Sequence, residues 1–89
     1  MPSYKLKILN EKGLHARASA KLVEVVEGFD ATAEIAKDGL DASGDSIMGL
    51  LMLAAPIGTT IEVLTSGPEA AALGDAIGQL VADKFGEEC

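Results

Sequence analysis

The sequence predicts an α+β fold with two layers, in which a mainly antiparallel sheet carries all helices on one face. Three observations lead to this prediction. Segments with strand and helix patterns alternate in the order β-α-β-β-α-β-α. The two middle strands are joined by Asp38-Gly39, a two-residue hairpin signal that makes them antiparallel neighbours. The helical segments concentrate their apolar residues on one side, so each helix needs one sheet face to cover it.

Four segments predict the strands. Residues 4–8 alternate between the two faces and indicate a half-buried first strand. Residues 31–37 and 40–43 flank the hairpin, and Gly44 ends the second of them. The run 59–65 is rich in β-branched residues and predicts the fourth strand.

The first two helices are predicted by apolar spacing and by the residues at their ends. Residues 16–27 place apolar side chains along one stripe, and Gly28 follows as a stop signal. A shorter apolar helix is expected from Ile47 to about Ala54. Ser46 precedes it as the N-cap, because a serine hydroxyl accepts a backbone N–H there.

The last helix is expected to open at Ser66, which has capping-box spacing from Glu69, and to end at Gly86. Gly74 and Gly78 lie inside it, where each costs about 1 kcal/mol against alanine. We therefore expect the helix to approach the sheet closely at both glycines. The same element order also fits a ferredoxin-like split βαβ fold with an extra helix, and spacing alone does not choose the strand order.

Length and composition predict one domain spanning residues 1–89. Cys89 is the only cysteine and cannot form an internal disulfide, which favours a reducing compartment. No apolar run approaches the roughly 20 residues of a membrane span, and the N-terminal residues do not resemble a signal peptide. We expect a cytoplasmic protein without membrane insertion, with a monomer as the default.

Charge is distributed unevenly along the chain. Residues 1–21 hold five basic side chains against one acid, whereas residues 22–89 hold two lysines against thirteen acids. A basic end on an acidic protein suits a small anion or an acidic patch on a partner, and it argues against nucleic acid. The single histidine, the terminal cysteine and the scattered acids offer no metal-ligand spacing, and no cofactor is expected.

His15, the only histidine, lies where a turn-forming loop gives way to the first predicted helix. Imidazole is a good nucleophile and titrates near neutrality. An anion attached to it would meet the backbone N–H groups of Ala16 and Arg17, the positive end of the helix dipole and the Arg17 guanidinium. On these residues alone, a surface histidine or a partial cap remains the commoner interpretation.

A second candidate site follows Ser46. When the short helix covers the sheet, Ile47, Met48 and Leu51 fall on another face. An apolar cluster outside the core usually marks a contact surface, and a wholly buried helix is the alternative. A phosphate on Ser46 would gain from the helix dipole and would add about −2 charge beside that surface, which would weaken partner binding.

The segment Gly13–Arg17, followed about thirty residues later by Ser46–Leu50, resembles the HPr family. These are the histidine-containing phosphocarriers of the bacterial phosphoenolpyruvate-dependent phosphotransferase system, and the resemblance covers essentially the whole chain. It implies an open-faced β-sandwich, a four-stranded antiparallel sheet covered on one face by three helices. It implies that His15 takes a phosphoryl group on Nδ1 from enzyme I and passes it to an enzyme II A-type domain.

The resemblance also assigns roles to the neighbouring residues. Arg17 would bind the phosphoryl oxygens, and Ser46 would be the target of HPr kinase/phosphorylase, as in some branches of the family. The docking surface would be formed by Ile47, Met48 and Leu51.

Two positions depart from the pattern of many members. Ala18 stands where proline is common and leaves the first helical turn less stiff. Asp45 precedes Ser46, and its carboxylate would repel a phosphate there. Ala18 together with a methionine-rich second helix is similar to the branch that serves nitrogen-related regulatory phosphorelays. A general carrier for sugar uptake fits as well.

No second catalytic base accompanies His15, which predicts a phosphoryl carrier rather than an enzyme with its own turnover. Two other classes stay open. A non-catalytic module of ferredoxin-like topology that senses a small anion would bind its ligand reversibly. A small acyl-phosphate hydrolase would use Arg17 and Asn10 as its anion cradle and would turn over without a partner.

Overall fold

The structure is a computed structural model that describes residues 3–87, so that Cys89 lies outside the described residues. The predicted element order is confirmed. The elements are β1 (Ser3–Lys7), α1 (Ala16–Glu27), β2 (Thr32–Lys37), β3 (Leu40–Ser43), α2 (Ile47–Leu53), β4 (Thr60–Ser66) and α3 (Ala70–Ala82), followed by a 3-10 turn (Lys84–Gly86).

The four strands form one sheet in the order β1-β4-β2-β3, with every neighbouring pair antiparallel. In a ferredoxin-like fold β3 would lie between β1 and β2. Here β4 lies between them and β3 is at the edge of the sheet, so the ferredoxin-like alternative is wrong. The register places Val63 of β4 between Tyr4 of β1 and Ile35 of β2. The predicted open-faced arrangement, with the helices on one side of the sheet, is confirmed.

The core lies between the sheet and the helices. Along β4, Ile61 and Val63 are fully buried while the residues between them are more exposed, which is the alternation of a sheet covered on one face. Of the two glycines predicted to bring α3 close to the sheet, only Gly74 does so. A Cβ on Gly74 would lie 2.2 Å from the Tyr4 ring, whereas one on Gly78 would meet nothing nearer than Leu6 at 4.0 Å.

The predicted capping box at the start of α3 is wrong. Ser66 ends β4, and Glu69 is the N-cap residue of a helix that begins at Ala70. The Glu69 carboxylate accepts the Asp30 backbone N–H at 2.7 Å, and the Glu69 N–H donates to the Asp30 carbonyl at 3.0 Å. The Glu69 carboxylate is therefore bound to the connection between α1 and β2 and does not form the capping box. The helix also ends at Ala82, before the predicted Gly86.

Within residues 3–87, no helix combines the length and the apolar character that crossing a membrane requires. The same part of the chain has no group of three or more His, Cys, Asp or Glu side chains arranged to hold a metal ion.

Candidate functional site

The loop before α1 is held against the segment that follows α2. Gly13 has φ +66°, and a Cβ there would lie 2.4 Å from the Ala55 carbonyl oxygen. The next residue, Leu14, is buried and donates its N–H to that carbonyl at 2.9 Å. Only glycine satisfies both the backbone angle and the close approach. This docking determines where α1 begins and where His15 lies.

His15 is the N-cap residue of α1. Its backbone is extended, with φ −83° and ψ −176°, and its carbonyl accepts the Ser19 N–H at 2.8 Å. The imidazole makes no capping hydrogen bond, and the side chain is 28% exposed. The ring therefore leaves the first N–H groups of the helix without a capping partner from its own side chain. Ala16 and Arg17 are exposed in that first turn.

The imidazole instead contacts a carboxylate from the far end of the chain. His15 Nε2 is hydrogen-bonded to Glu87 Oε2, across 72 residues of sequence. The other carboxylate oxygen accepts the Asn10 amide Nδ2–H at 3.0 Å, and the same amide nitrogen donates to the Gly13 carbonyl at 2.8 Å. The Asn10 side chain is fully buried. These contacts join the loop, the ring and the C-terminal segment into one polar cluster.

The environment of Glu87 favours its charged form. The hydrogen bond from Asn10 lowers the pKa of the Glu87 carboxyl below its usual value. The hydrogen bond and charge of His15 and the nearby Lys12 ammonium act in the same direction, against desolvation, which raises this pKa. Glu87 is therefore a carboxylate at neutral pH and accepts hydrogen bonds with both oxygens.

Three residues after α3 turn the chain back toward α1. Lys84 and Phe85 have φ +56° and Gly86 has φ +77°, all in the left-handed region. Phe85 is fully buried in the core, and its carbonyl accepts the Lys21 ammonium at 2.7 Å. The buried ring and the lysine on α1 hold the left-handed turn and present Glu87 to His15. No sequence pattern singled out Glu87.

Arg17 is exposed beside this cluster and is not part of it. Among residues 3–87, the contacts between basic side chains and carboxylates are His15–Glu87 and Lys37–Asp38, so the Arg17 guanidinium has no carboxylate partner there. A shallow cleft of about 190 Å³ opens next to the His15 ring, between Lys12 and the segment 54–56. The role of Arg17 as a phosphoryl ligand stays a prediction.

Ser46 is the N-cap residue of α2, as predicted from its position. Its Oγ accepts the Gly49 N–H at 3.1 Å, and the residue is partly exposed. A Cβ on Gly49 would lie 3.1 Å from that hydroxyl, so the glycine leaves room for the cap. The Asp45 carboxylate accepts the Ser43 hydroxyl at 2.6 Å.

The outer face of α2 is apolar and exposed, so a wholly buried helix is ruled out. Ile47 is 40% exposed and Met48 is 70% exposed, while Leu51 is half-buried. The sequence reasoning omitted Met52, which is 76% exposed. Met52 lies two residues after Leu50, which is fully buried. Because residues two apart on a helix face different sides, this spacing predicts that Met52 is exposed.

Comparisons with known proteins bear on this site. Residues 2–83 match the family model described as "PTS HPr component phosphorylation site", a stretch that ends before Glu87. The phosphocarrier protein HPr of Cupriavidus necator is 44% identical over 80 residues, which is 90% of each chain. The phosphocarrier protein NPr of Shewanella violacea is 46% identical over 80 residues, 90% of this chain and 88% of that one.

Solved structures agree with these relatives. The crystal structure of HPr-C-His from Thermoanaerobacter tengcongensis superimposes with a TM-score of 0.95 at 30% identity and covers 100% of both chains. A phosphocarrier protein HPr from Bacillus anthracis superimposes with a TM-score of 0.86 at 31% identity, over 90% of this chain and 95% of that one.

Proposed function

Because this chain belongs to the HPr family of the phosphotransferase system, whose members are phosphocarriers rather than enzymes, we propose that His15 is its phosphoryl acceptor. The phosphoryl group comes from enzyme I and passes to an enzyme II A-type domain. The carrier acts in the cytoplasm as a monomer whose single domain spans residues 1–89.

The observation that carries this proposal is the position of the imidazole at an uncapped helix start. The His15 side chain is partly exposed and makes no capping hydrogen bond, so a group on the ring lies close to free N–H groups of α1. Phosphoryl transfer needs positioning and charge neutralisation more than covalent machinery. The N–H groups of Ala16 and Arg17 and the Arg17 guanidinium, which lacks a carboxylate partner in the described part of the chain, supply the positive charge.

The transfer itself needs no proton to leave the attacking atom. The lone pair of Nδ1 attacks the phosphorus, and a new N–P bond forms as the bond between phosphorus and the donor breaks. The electron pair of the broken bond stays with the donor. In the second transfer the N–P bond breaks, its pair returns to Nδ1, and the acceptor's nucleophile takes the phosphoryl group.

The acyl-phosphate hydrolase considered from the sequence loses its second anion ligand. The Asn10 amide is buried and already donates to the Gly13 carbonyl and to Glu87. It therefore has no N–H group left to hold a substrate anion beside Arg17.

The apolar face of α2 supports a docking role. The partner proteins contact an apolar surface formed by Ile47, Met48, Leu51 and Met52. The exposed methionines suit such a surface because their flexible side chains adapt to more than one partner. Ser46 is the candidate for regulatory phosphorylation by HPr kinase/phosphorylase. The Asp45 carboxylate accepts the Ser43 hydroxyl but keeps its negative charge, so it opposes a phosphate on Ser46.

Relatives named HPr and NPr match this chain at 44% and 46% identity. These similar identities do not choose between sugar uptake and nitrogen-related regulation. The two roles predict different acceptors. Offering the phosphorylated carrier to a sugar-specific and to a nitrogen-related A-type domain separates the two roles, because the physiological acceptor removes the phosphoryl group faster.

The test of the proposal is phosphorylation by phosphoenolpyruvate and enzyme I, followed by intact mass and site mapping. We expect one phosphate on His15 that is labile in acid and stable in base. His15→Ala is expected to take up none. A phosphate that remains in that variant contradicts the assignment, as does an unmodified wild-type chain.

A further inference from the structure

We propose that Glu87, held in place by Asn10, is a positioning residue for phosphoryl transfer at His15. Its carboxylate keeps the imidazole proton on Nε2, so that Nδ1 presents the lone pair, and its charge compensates that of the phosphorylated ring. This inference rests on the proposed function of His15.

The first step of the argument is the identity of the two atoms in contact. Glu87 Oε2 faces His15 Nε2. An ionised carboxylate has no hydrogen to donate, so the hydrogen of this bond belongs to Nε2. A neutral imidazole has only one N–H, and its other nitrogen then carries an available lone pair. The contact with Glu87 therefore selects Nδ1 as the nucleophile.

The second step is the orientation of the Asn10 amide. Its Nδ2 points at two acceptors, the Gly13 carbonyl and Glu87 Oε1. A flipped amide would place its oxygen against both of them, and three oxygens would repel one another. The Asn10 Oδ1 is buried without a partner among the described residues, which shows that the two N–H bonds alone determine the orientation. Asn10 thus fixes the carboxylate that fixes the ring.

The third step is the charge of the product. When Nδ1 attacks phosphorus, no proton leaves the ring, and the imidazole holds both the phosphoryl group and the Nε2 hydrogen. The ring then carries a positive charge next to the Glu87 carboxylate. The opposite charges attract each other in this partly buried site, where the side chain of Glu87 is only 12% exposed. Glu87 therefore stabilises the charge that develops as the N–P bond forms.

The test uses the ring nitrogens of the unphosphorylated full-length chain. Since His15 is the only histidine, the imidazole signals in a ¹⁵N NMR spectrum belong to it without further assignment. At a pH where the ring is neutral, we expect the wild-type chain to hold the proton on Nε2. In Glu87→Ala we expect both ring signals to shift as the other tautomer gains population.

Two further variants separate the hydrogen bond from general charge effects. Glu87→Gln offers one acceptor oxygen instead of two, so its ring signals should lie between those of the wild type and Glu87→Ala. Glu11→Gln removes one negative charge from the exposed part of the same loop and should leave the signals unchanged. Ring signals of Glu87→Ala that match the wild type overturn the proposal, and so does an equal shift in Glu11→Gln.

A kinetic measurement adds the functional consequence. With phosphoenolpyruvate and enzyme I, we expect the initial rate of phosphorylation to fall about tenfold in Glu87→Ala. This is the lower end of the roughly 10- to 100-fold losses that follow removal of a group that orients a metal-binding histidine. Glu11→Gln should keep the wild-type rate. An unchanged rate in Glu87→Ala overturns the proposal. A wild-type chain that takes no phosphate on His15 instead overturns the proposed function, whatever the ¹⁵N signals show.

Discussion

The first two helices are each preceded by an N-cap residue, but the side chains of these two residues make different contacts. His15 and Ser46 are both N-cap residues with extended backbones. The Ser46 hydroxyl turns inward and accepts the Gly49 N–H at 3.1 Å. The His15 ring turns away from its helix and contacts Glu87. One helix start is therefore closed by its own residue, and the other is left open.

The difference follows from the size and chemistry of the two side chains. A serine oxygen lies one bond beyond Cβ and reaches the N–H groups of the next turn. An imidazole is larger, and its outer nitrogen reaches a carboxylate brought in by the C-terminal segment. The open start of α1 suits a transferable anion, while the closed start of α2 stabilises the helix beneath an exposed apolar face. Four predictions test this contrast.

The largest expected effect is the loss of phosphoryl acceptance in His15→Ala, measured by intact mass after incubation with enzyme I. Because the imidazole caps no N–H group, we expect the variant to keep its fold, with a small change in the free energy of unfolding. Ser46→Ala should accept the phosphoryl group at the wild-type rate. Loss of acceptance in Ser46→Ala would contradict the distinction between the two sites.

Gly13→Ala should damage the open site through its backbone. The substitution combines φ +66° with a Cβ 2.4 Å from the Ala55 carbonyl oxygen. We expect a loss of at least about 2 kcal/mol in the free energy of unfolding, measured by urea denaturation. Gly39→Ala is the matched control, since φ is +82° there but a Cβ would meet no atom within 4 Å. Equal losses in the two variants would show that the backbone angle alone matters.

Ser46→Ala should cost about 1 kcal/mol of stability, because the cap of α2 is lost. Ser43→Ala removes a nearby hydroxyl that bonds the Asp45 carboxylate instead of a helix N–H, and it should cost less. Thermal unfolding followed by circular dichroism checks both variants. If Ser46→Ala is as stable as the wild type, the Ser46 cap of α2 contributes nothing to the free energy of unfolding.

The smallest expected effect is the pH dependence of stability due to Glu87. Its pKa is lowered in the folded chain from a reference value of 4.5, chiefly by the Asn10 hydrogen bond. The resulting stabilisation is present above pH 4.5 and is lost as the pH falls through the lower, folded pKa. Unfolding free energies measured across this range should fall more steeply for the wild type than for Glu87→Gln. Parallel curves would contradict the role of Asn10.

Local patterns predicted most of the fold. The alternation of β1, the Asp38-Gly39 turn and the apolar stripe of α1 each depend on a few neighbouring residues, and the observed elements match them within one or two residues. The errors arose where a distant group competed with a local one. Ser66 and Glu69 have the spacing of a cap, but the Asp30 backbone takes the carboxylate. A Cβ on Gly78 would lie 4.0 Å from Leu6, so this glycine is not required by a close approach, which no sequence pattern reveals.

For the site, the sequence alone determined that a single imidazole begins the first helix, with Arg17 two residues later. It likewise placed an apolar helix behind a serine cap. Only the tertiary structure decided what the imidazole faces. The antiparallel sheet and the left-handed turn after α3 bring Glu87 to a ring 72 residues earlier, and the buried Asn10 orients the carboxylate. Helix starts are short-range features of the chain, whereas a hydrogen bond between its two ends exists only once the core has packed.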